Sequence, residues 1–400
     1  MKPLLIRGGR VVDPASSLDS LRDLRVRDGR IAEIGAHLKA AADEDVLDVP
    51  NAIVAPGFID MHVHLRQPGY SQKETIESGT QAAVRGGFTA VACMPNTNPA
   101  LDDPSVINAL MQRVAREATC RVHPIAAMTL GREGFTPCDF ASLAKVGAVA
   151  FSDDGDTVEN AAVMREAALL ARDIAGAFIS HCEPEESIVA RDLQIAGQSG
   201  KTWHVAHVST AAALELIRQA RSREVEVTCE VTPHHLHFTR DLLGELGGAA
   251  RVNPPLRSED DVAALRRAVR DGTIDAFASD HAPHTAEEKD RSVCDAAPGF
   301  SGLEVAVGAY AAALPDLPLT RFVEMLSTNP ARILGIRGGS LATGELADIT
   351  IFADREWTVD PTRFASMGKC TPFAGRRLPR KVLATIVEGL AQYRTDDLAA

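Results

Sequence analysis

The sequence predicts an α/β fold, a (β/α)8 barrel of TIM type with a small β-sandwich domain assembled from both ends of the chain. Three observations predict it. Eight short apolar, β-rich runs alternate with alanine-rich stretches of helical spacing over residues 55–339, and strand alternating with helix eight times implies a parallel sheet closed into a barrel and ringed by helices. Many of the helical stretches end on glycine, as helix C-termini do. The two ends, residues 1–54 and 340–400, lack this rhythm and share a different one.

In chain order, residues 1–54 alternate short apolar runs with turn signals: LLIRGGRVVDP, LRVRDGRIAEIG and VLDVPNAIVAPG. RDGR between two alternating runs is a hairpin signal, so this opening is a small antiparallel β unit. The barrel runs follow as FIDMHVHL, FTAVACMP, VHPIAAM, AVAFSDD, AFISHCE, WHVAHV, VEVTCEVTP and IDAFASDHAP. Between them lie TIESGTQAAVRGG, VENAAVMREAALLARDIAG, TAAALELIRQARS and EDDVAALRRAVRDG, which read as helices. The β texture returns in GELADITIFADREWTV and RKVLATIVEGLAQYR, where Glu388 and Gly389 mark another tight turn.

Composition narrows the function. Four hundred residues, 45% hydrophobic, can bury a large core. A net charge of −12 gives no basic footprint for nucleic acid or an anionic membrane surface. The opening MKPLLIRGGRVVDPASS meets Arg7 and a Gly-Gly pair before a signal-peptide core could form, and no apolar run spans a bilayer; a cytoplasmic protein is expected. The seven cysteines, with no C-x-x-C pair, argue against a disulfide framework or a cysteine zinc knuckle and read as reduced core thiols.

In barrel enzymes the active site collects at the carboxyl ends of the strands. Here run one ends in His62 and His64, run four in Asp153 and Asp154, run five in His181, run six in His207, and run eight in Asp280, His281 and His284. Residues two apart on a strand point to the same side, so His62 and His64 can both reach the barrel mouth and grip one ion. Each group alone has an ordinary explanation, a turn aspartate or a core histidine. Together, ligand-type residues at the ends of five apolar strands make a nitrogen and oxygen site suited to Zn²⁺, where an unpaired polar group would cost a few kcal/mol.

GFIDMHVHLRQPG, KETIESGTQAAVRGGFTAVACMPNT, AFSDDGD, HCE, VAHVST, EVTPHHL, NPPLRS and SDHAPH resemble, in order and over almost the whole chain, the motif series of type I dihydroorotases within the amidohydrolase superfamily. The resemblance implies one zinc held by His62, His64 and Asp280, a second held by His181 and His207, and Asp154 bridging them where many relatives use a carboxylated lysine. Two zinc ions are favoured over one. It implies hydrolysis of a cyclic amide, with Asp280 as the proton carrier. The ring carboxylate is expected on Arg66, Asn96 and His284, the pyrimidine on Asn253, and the ring against the backbone of Pro298 and Gly299. Asp153 is expected to be structural, and His234, His235 and His237 to support or pack rather than ligate. His37, His123 and His204 lie off the pattern, and Cys182, beside His181, should face away from the site. A small-molecule substrate, a homodimer and a complex with aspartate transcarbamoylase are the partners that follow.

The chain departs from that pattern in one place. Only 25 residues separate His181 from His207, and the glycine-rich stretch usual after HCE is missing, which puts turnover rate and assembly at issue but leaves the ligand set whole. Two rivals share the barrel. A hydantoinase or allantoinase would usually bridge with lysine and lack Arg66. A catalytically silent scaffold for aspartate transcarbamoylase would have lost metal ligands, whereas all six candidates are present.

Overall fold

The computed structural model describes residues 2–398. It opens with β1 (Leu4–Asp13), β2 (Leu18–Arg27), β3 (Arg30–Gly35), β4 (Asp45–Asp48) and β5 (Ile53–Pro56). RDGR is the β2–β3 turn. Asp28 and Gly29 both have positive φ, 48° and 72°, the backbone hand that matches the twist of paired strands.

The eight expected runs form β6 (Phe58–Val63), β7 (Phe88–Cys93), β8 (Arg121–Ala126), β9 (Ala150–Phe151), β10 (Phe178–Ser180), β11 (Trp203–Val205), β12 (Val227–Val231) and β13 (Ala276–Phe277), paired in sequence order. The last meets the first. His64 N–H donates to His281 O at 2.8 Å, and Val63 bridges His281 in parallel, so the barrel closes one turn of chain beyond β13. After β6 to β11 come α1 (Ile76–Arg85), α2 (Pro104–Glu117), α3 (Phe140–Lys145), α4 (Ala161–Leu170), α5 (Glu185–Ser199) and α6 (Ala211–Ser222), one per strand. Between β12 and β13 lie α7 (Pro233–His237), α8 (Leu242–Leu246) and α9 (Glu259–Arg270); α10 (Ala286–Lys289), α11 (Ala306–Ala313), α12 (Leu319–Leu326) and α13 (Thr328–Leu334) follow β13.

Alternation along the strands divides the core into two layers. Phe58, Phe88, Phe151, Phe178, Trp203 and Phe277 face the helices, each contributing about 1.5–3 kcal/mol through burial. Cys182 belongs to that outer layer. Inside the barrel the side chains are mostly smaller: Ile59, Met61, Ala90, Ala92, Ala150, Ile179, Ala206 and Ala276, closed at one end by Ala331 and Leu334 of α13. Alanines leave room there for the few large polar groups that build the site.

β14 (Ile349–Ala353), β15 (Trp357–Thr358), β16 (Arg377–Leu378), β17 (Lys381–Val387) and β18 (Leu390–Arg394) complete the chain. One sheet joins both ends in the order β18-β17-β14-β5-β1-β2-β3, with β4 beside β1, over a core that includes Ile6, Val11, Val54, Ile349, Ile351 and Ile386. The expected boundary at residue 54 falls inside β5, because β5 pairs with both β1 and β14. Phe364 and Phe373, between β15 and β16, leave this sheet and pack on Phe238, Val252 and Phe300 of the barrel loops. Five cysteines are buried, but Cys370 is half-buried and Cys294 exposed, so those two are not core thiols. Among the described residues no helix is long and apolar enough to cross a membrane.

Candidate active site

His62 and His64 reach the barrel mouth by an irregular route. Ile59 and Met61 fill the barrel, so strict alternation would turn His62 outward; the register with β7 shifts between Asp60 and Val63, and the phase changes with it. Asp60 stabilises the bend. Its buried carboxyl, pushed up to about 7 by burial, accepts from His62 N at 3.1 Å and from Ser279 N at 3.1 Å, tying β6 to the segment that carries Asp280.

Four further ligand-type residues converge on these two imidazoles. His64 Nε2 lies 3.1 Å from Asp280 Oδ1 and 3.5 Å from Asp154 Oδ2. His62 Nε2 lies 3.3 Å from Asp154 Oδ1 and 3.7 Å from Asp280 Oδ1. On the other side, His181 Nδ1 and His207 Nε2 are 3.0 Å apart, at 3.5 Å and 3.2 Å from Asp154 Oδ1. Asp154 thus touches both groups, with one oxygen or both. Tetrahedral zinc with bonds of about 2.0–2.1 Å separates its donors by about 3.3 Å, the spacing seen here. His62 Nε2 is moreover buried without a hydrogen-bond partner, and the nitrogens of His181 and His207 face each other at 3.0 Å beside the Asp154 carboxylate. The residues fit bound metal.

The carboxylates and imidazoles also hold each other electrostatically. Burial alone would raise Asp154 and Asp280, but the surrounding histidines, His62 foremost for Asp154 and His64 for Asp280, keep both well below the ordinary carboxylate range. Both are therefore anionic acceptors at neutral pH.

Behind the donors stand residues that aim them. Glu230, which sequence reasoning missed, accepts from His62 Nδ1 at 2.6 Å and leaves Nε2 free to face the site; His204 Nε2 lies 3.3 Å from its other oxygen. Its one signal was a lone glutamate in the apolar run VTCEV. Asn96 Oδ1 accepts from His64 Nδ1 at 2.8 Å, so its amide oxygen orients a donor before any substrate arrives. Asn253 Nδ2 lies 3.0 Å from His181 Nε2, a contact equally unforeseen. Asp153 accepts from Met128 N, Thr129 N and Thr129 Oγ1 and faces away from the donors. Arg132 Nη2 donates to the carbonyl oxygens of Asp154 at 2.9 Å and Asp153 at 3.3 Å, clamping the turn that presents Asp154.

Above the donors opens a cleft of about 330 Å³. All the expected substrate contacts, Arg66, Asn96, Asn253, His284, Pro298 and Gly299, line it, together with Tyr70, Lys73 and Arg132, which were not expected. His62 and His207 lie deeper. Arg66 Nε donates to Pro283 O at 3.2 Å, and burial lowers its guanidinium only to about 10, so it is a cation at neutral pH. His284 is neutral, pushed down to about 3 by burial and by Arg66 and Lys73; Nε2–H donates to Pro298 O at 2.8 Å, and Nδ1 faces Lys73 Nζ at 3.4 Å. Three site residues, Arg66, His207 and Asp280, have left-handed φ of 61°, 32° and 48°, strain of about 1–3 kcal/mol each that the packed surroundings must hold.

The histidines that follow β12 make other contacts. His235 bonds Thr232 Oγ1 and Pro254 O, and His237 bonds Ala309 O; His234 packs edge-on to Phe300. The shortened segment after HCE is closed by α5, which starts three residues beyond Cys182. There the Glu185 carboxylate accepts from Ser209 N at 3.0 Å and Thr210 N at 2.9 Å, tying the β10 unit to the β11 unit.

The amidohydrolase family model matches residues 53–391. A dihydroorotase of Pelotomaculum thermopropionicum is 46% identical over 419 aligned positions, covering 96% of this chain and 97% of the relative; one of Syntrophus aciditrophicus is 41% identical, covering 98% and 100%. Both alignments run longer than this chain, so the relatives carry stretches without a counterpart here. Among solved structures, the L-hydantoinase of Arthrobacter aurescens superposes with a TM-score of 0.89 at 23% identity, covering 98% of this chain and 96% of that one. The dihydropyrimidinase of Brevibacillus agri gives 0.88 at 20%, covering 99% and 96%. At those identities the likeness is one of fold, and the sequence relatives carry the closer kinship: this chain is a cyclic amide hydrolase of the amidohydrolase family and belongs to its dihydroorotase branch.

Proposed function

We propose that the chain catalyses the reversible hydrolysis of (S)-dihydroorotate to N-carbamoyl-L-aspartate in the cytoplasm, as a step of de novo pyrimidine biosynthesis, with two zinc ions per subunit. One observation carries the reading: His62, His64, His181, His207 and Asp280 gather around the carboxylate of Asp154 at the foot of a cleft whose wall holds the buried cation Arg66. His62, His64 and Asp280 would hold one zinc, His181 and His207 the other, and Asp154 both. Bound zinc would supply there a water that ionises near neutral pH and a Lewis acid for the ring carbonyl.

The chain's own residues do the rest. Asp280, an anion at the lip of the donor cluster, accepts the proton of the attacking water and returns it to the departing ring nitrogen. Arg66 takes the ring carboxylate through its charged N–H groups. Asn96 presents its amide beside the same carboxylate while its oxygen steadies His64. His284, kept neutral, holds its place against Pro298 and contributes bulk and polarity rather than charge. Asn253 meets the pyrimidine, and the backbone of Pro298 and Gly299 lies along the ring.

The same proposal divides the chain into a small β domain, residues 1–54 and 340–400, and a hydrolase barrel, residues 55–339, supported by the sheet that joins both ends. It includes a homodimer and docking on aspartate transcarbamoylase, which gel filtration of the chain alone and with that enzyme would test. The function itself is tested by zinc content measured alongside ring opening of L-dihydroorotate, with hydantoin and allantoin as controls. Zinc with turnover selective for dihydroorotate is the expected result. Turnover of another ring would move the chain to a sister activity, and no metal with no turnover would make it a scaffold.

A further inference from the structure

A second cavity, of about 360 Å³, lies in the seam between the end sheet and the barrel and shares no residue with the cleft. Arg85 at the end of α1, Arg363 between β15 and β16, and Arg394 in β18 line it, all exposed. Among the described residues none of the three has a carboxylate partner: Arg85 donates to Arg363 O at 2.7 Å and Arg394 to Leu398 O at 2.6 Å. Some of the lining acids are committed elsewhere. Asp397 pairs with Lys381 at 2.5 Å and Arg355 at 3.2 Å, and Glu304 accepts from Ala365 N at 2.9 Å. Asp396 and Asp360 are left against three guanidiniums, in a chain whose net charge is −12. Like charges gathered at one mouth repel unless an anion joins them.

The walls add three aromatic side chains, Trp357, Phe364 and Tyr393, with unpartnered polar atoms behind them. Trp357 Nε1, Arg380 Nη1 and Thr395 Oγ1 belong to lining residues and are shut off from water with no hydrogen-bond partner; buried polar atoms are seldom left so without a reason. Trp357 Nε1 sits against Gly308, where a Cβ would come within 3.3 Å of it. Tyr393 and Trp357 supply the ring faces.

We propose that this cavity binds a phosphate-bearing planar ligand of the size of a nucleoside monophosphate, with the phosphate on Arg85 and Arg363 and the ring against Tyr393 and Trp357. Guanidiniums match phosphate oxygens in paired bonds, and flat rings stack on aromatic faces at either sign of the base. None of these residues belongs to the catalytic cleft.

The probe is adenosine 5′-monophosphate added to the zinc-loaded enzyme, with adenosine and inorganic phosphate as part-ligands, read by calorimetry and by tryptophan emission. The chain has two tryptophans, and Trp203 is fully buried in the core, so Trp357 reports the cavity. The expected result is one nucleotide per subunit, quenched emission, and binding at least about tenfold weaker in Arg363→Ala and in Arg85→Ala, the loss that one charged contact brings. Trp357→Phe should abolish the quench while calorimetric binding persists. No heat and no quench at millimolar nucleotide would overturn the proposal. So would undiminished binding in both arginine variants, or either part-ligand binding as tightly as the nucleotide.

Discussion

Glu230→Gln tests how firmly the fold aims its imidazoles. Glu230 is fully buried, and although burial pushes its carboxyl up, His62 and His204 bring it down to about 2, so it is an anion at neutral pH. Glutamine keeps the shape and one acceptor for His62 Nδ1–H, now held at 2.6 Å, but removes the charge. A charged hydrogen bond contributes about 1.5–3 kcal/mol net against about 0.5–1.5 for a neutral one. The substitution therefore costs about 1–1.5 kcal/mol in the presentation of His62 Nε2, or about tenfold in zinc affinity. That is the lower end of the 10- to 100-fold range, roughly, for carboxylates behind metal-bound histidines. Titrating metal-free protein with zinc against a chromophoric chelator measures it, with turnover followed at saturating zinc. Affinity should fall about tenfold and turnover largely recover in excess zinc. Affinity within a factor of two of the parent would refute the claim that Glu230 orients a ligand.

Other consequences are equally direct. Asp280→Asn should lower dihydroorotate turnover by about 10²–10⁴-fold, the span of lost general acid–base catalysis, with the native circular dichroism spectrum retained; survival of most activity would remove its assignment as proton carrier. Arg66→Ala gives up about two charged hydrogen bonds, so KM should rise about 10²-fold with kcat changed less, and an unchanged KM would mean that the carboxylate is held elsewhere. Glu304→Gln addresses pH. Burial raises Glu304 from 4.5 to about 7, so this group's own contribution to stability is fullest below pH 4.5 and is lost as pH climbs through 7. The variant should gain about 2 kcal/mol on the parent between pH 5 and pH 8, and chemical melts showing a constant difference across that window would contradict the buried, raised carboxyl.

Local signals carried much of the architecture. The eight β-rich runs are the eight barrel strands, and the dipeptides Asp28-Gly29 and Glu388-Gly389 are turns with positive φ at both residues, because strand periodicity and turn chemistry are written in neighbouring residues. Other features are not written in neighbouring residues. The expected boundary cut β5, since a strand paired on both sides reads no differently in sequence from one at an edge. Cys294 and Cys370 escaped the core because a cysteine's burial depends on what packs over it.

By itself the sequence determined that histidine and aspartate would gather at the strand ends, that two histidines would stand at the end of the first barrel strand, and that an arginine would follow them. Those are properties of residue type and spacing. Only the tertiary structure decided that the donors meet within 3.7 Å around Asp154, that β6 shifts phase to bring His62 inward, and that Arg66, His207 and Asp280 take left-handed backbone. It alone revealed Glu230 behind His62, 168 residues away in the chain, and the arginine-lined seam between end sheet and barrel. The physical reason is distance: periodicity and turns are set by nearest neighbours, whereas the partners of a buried charge are chosen by the closure of the barrel.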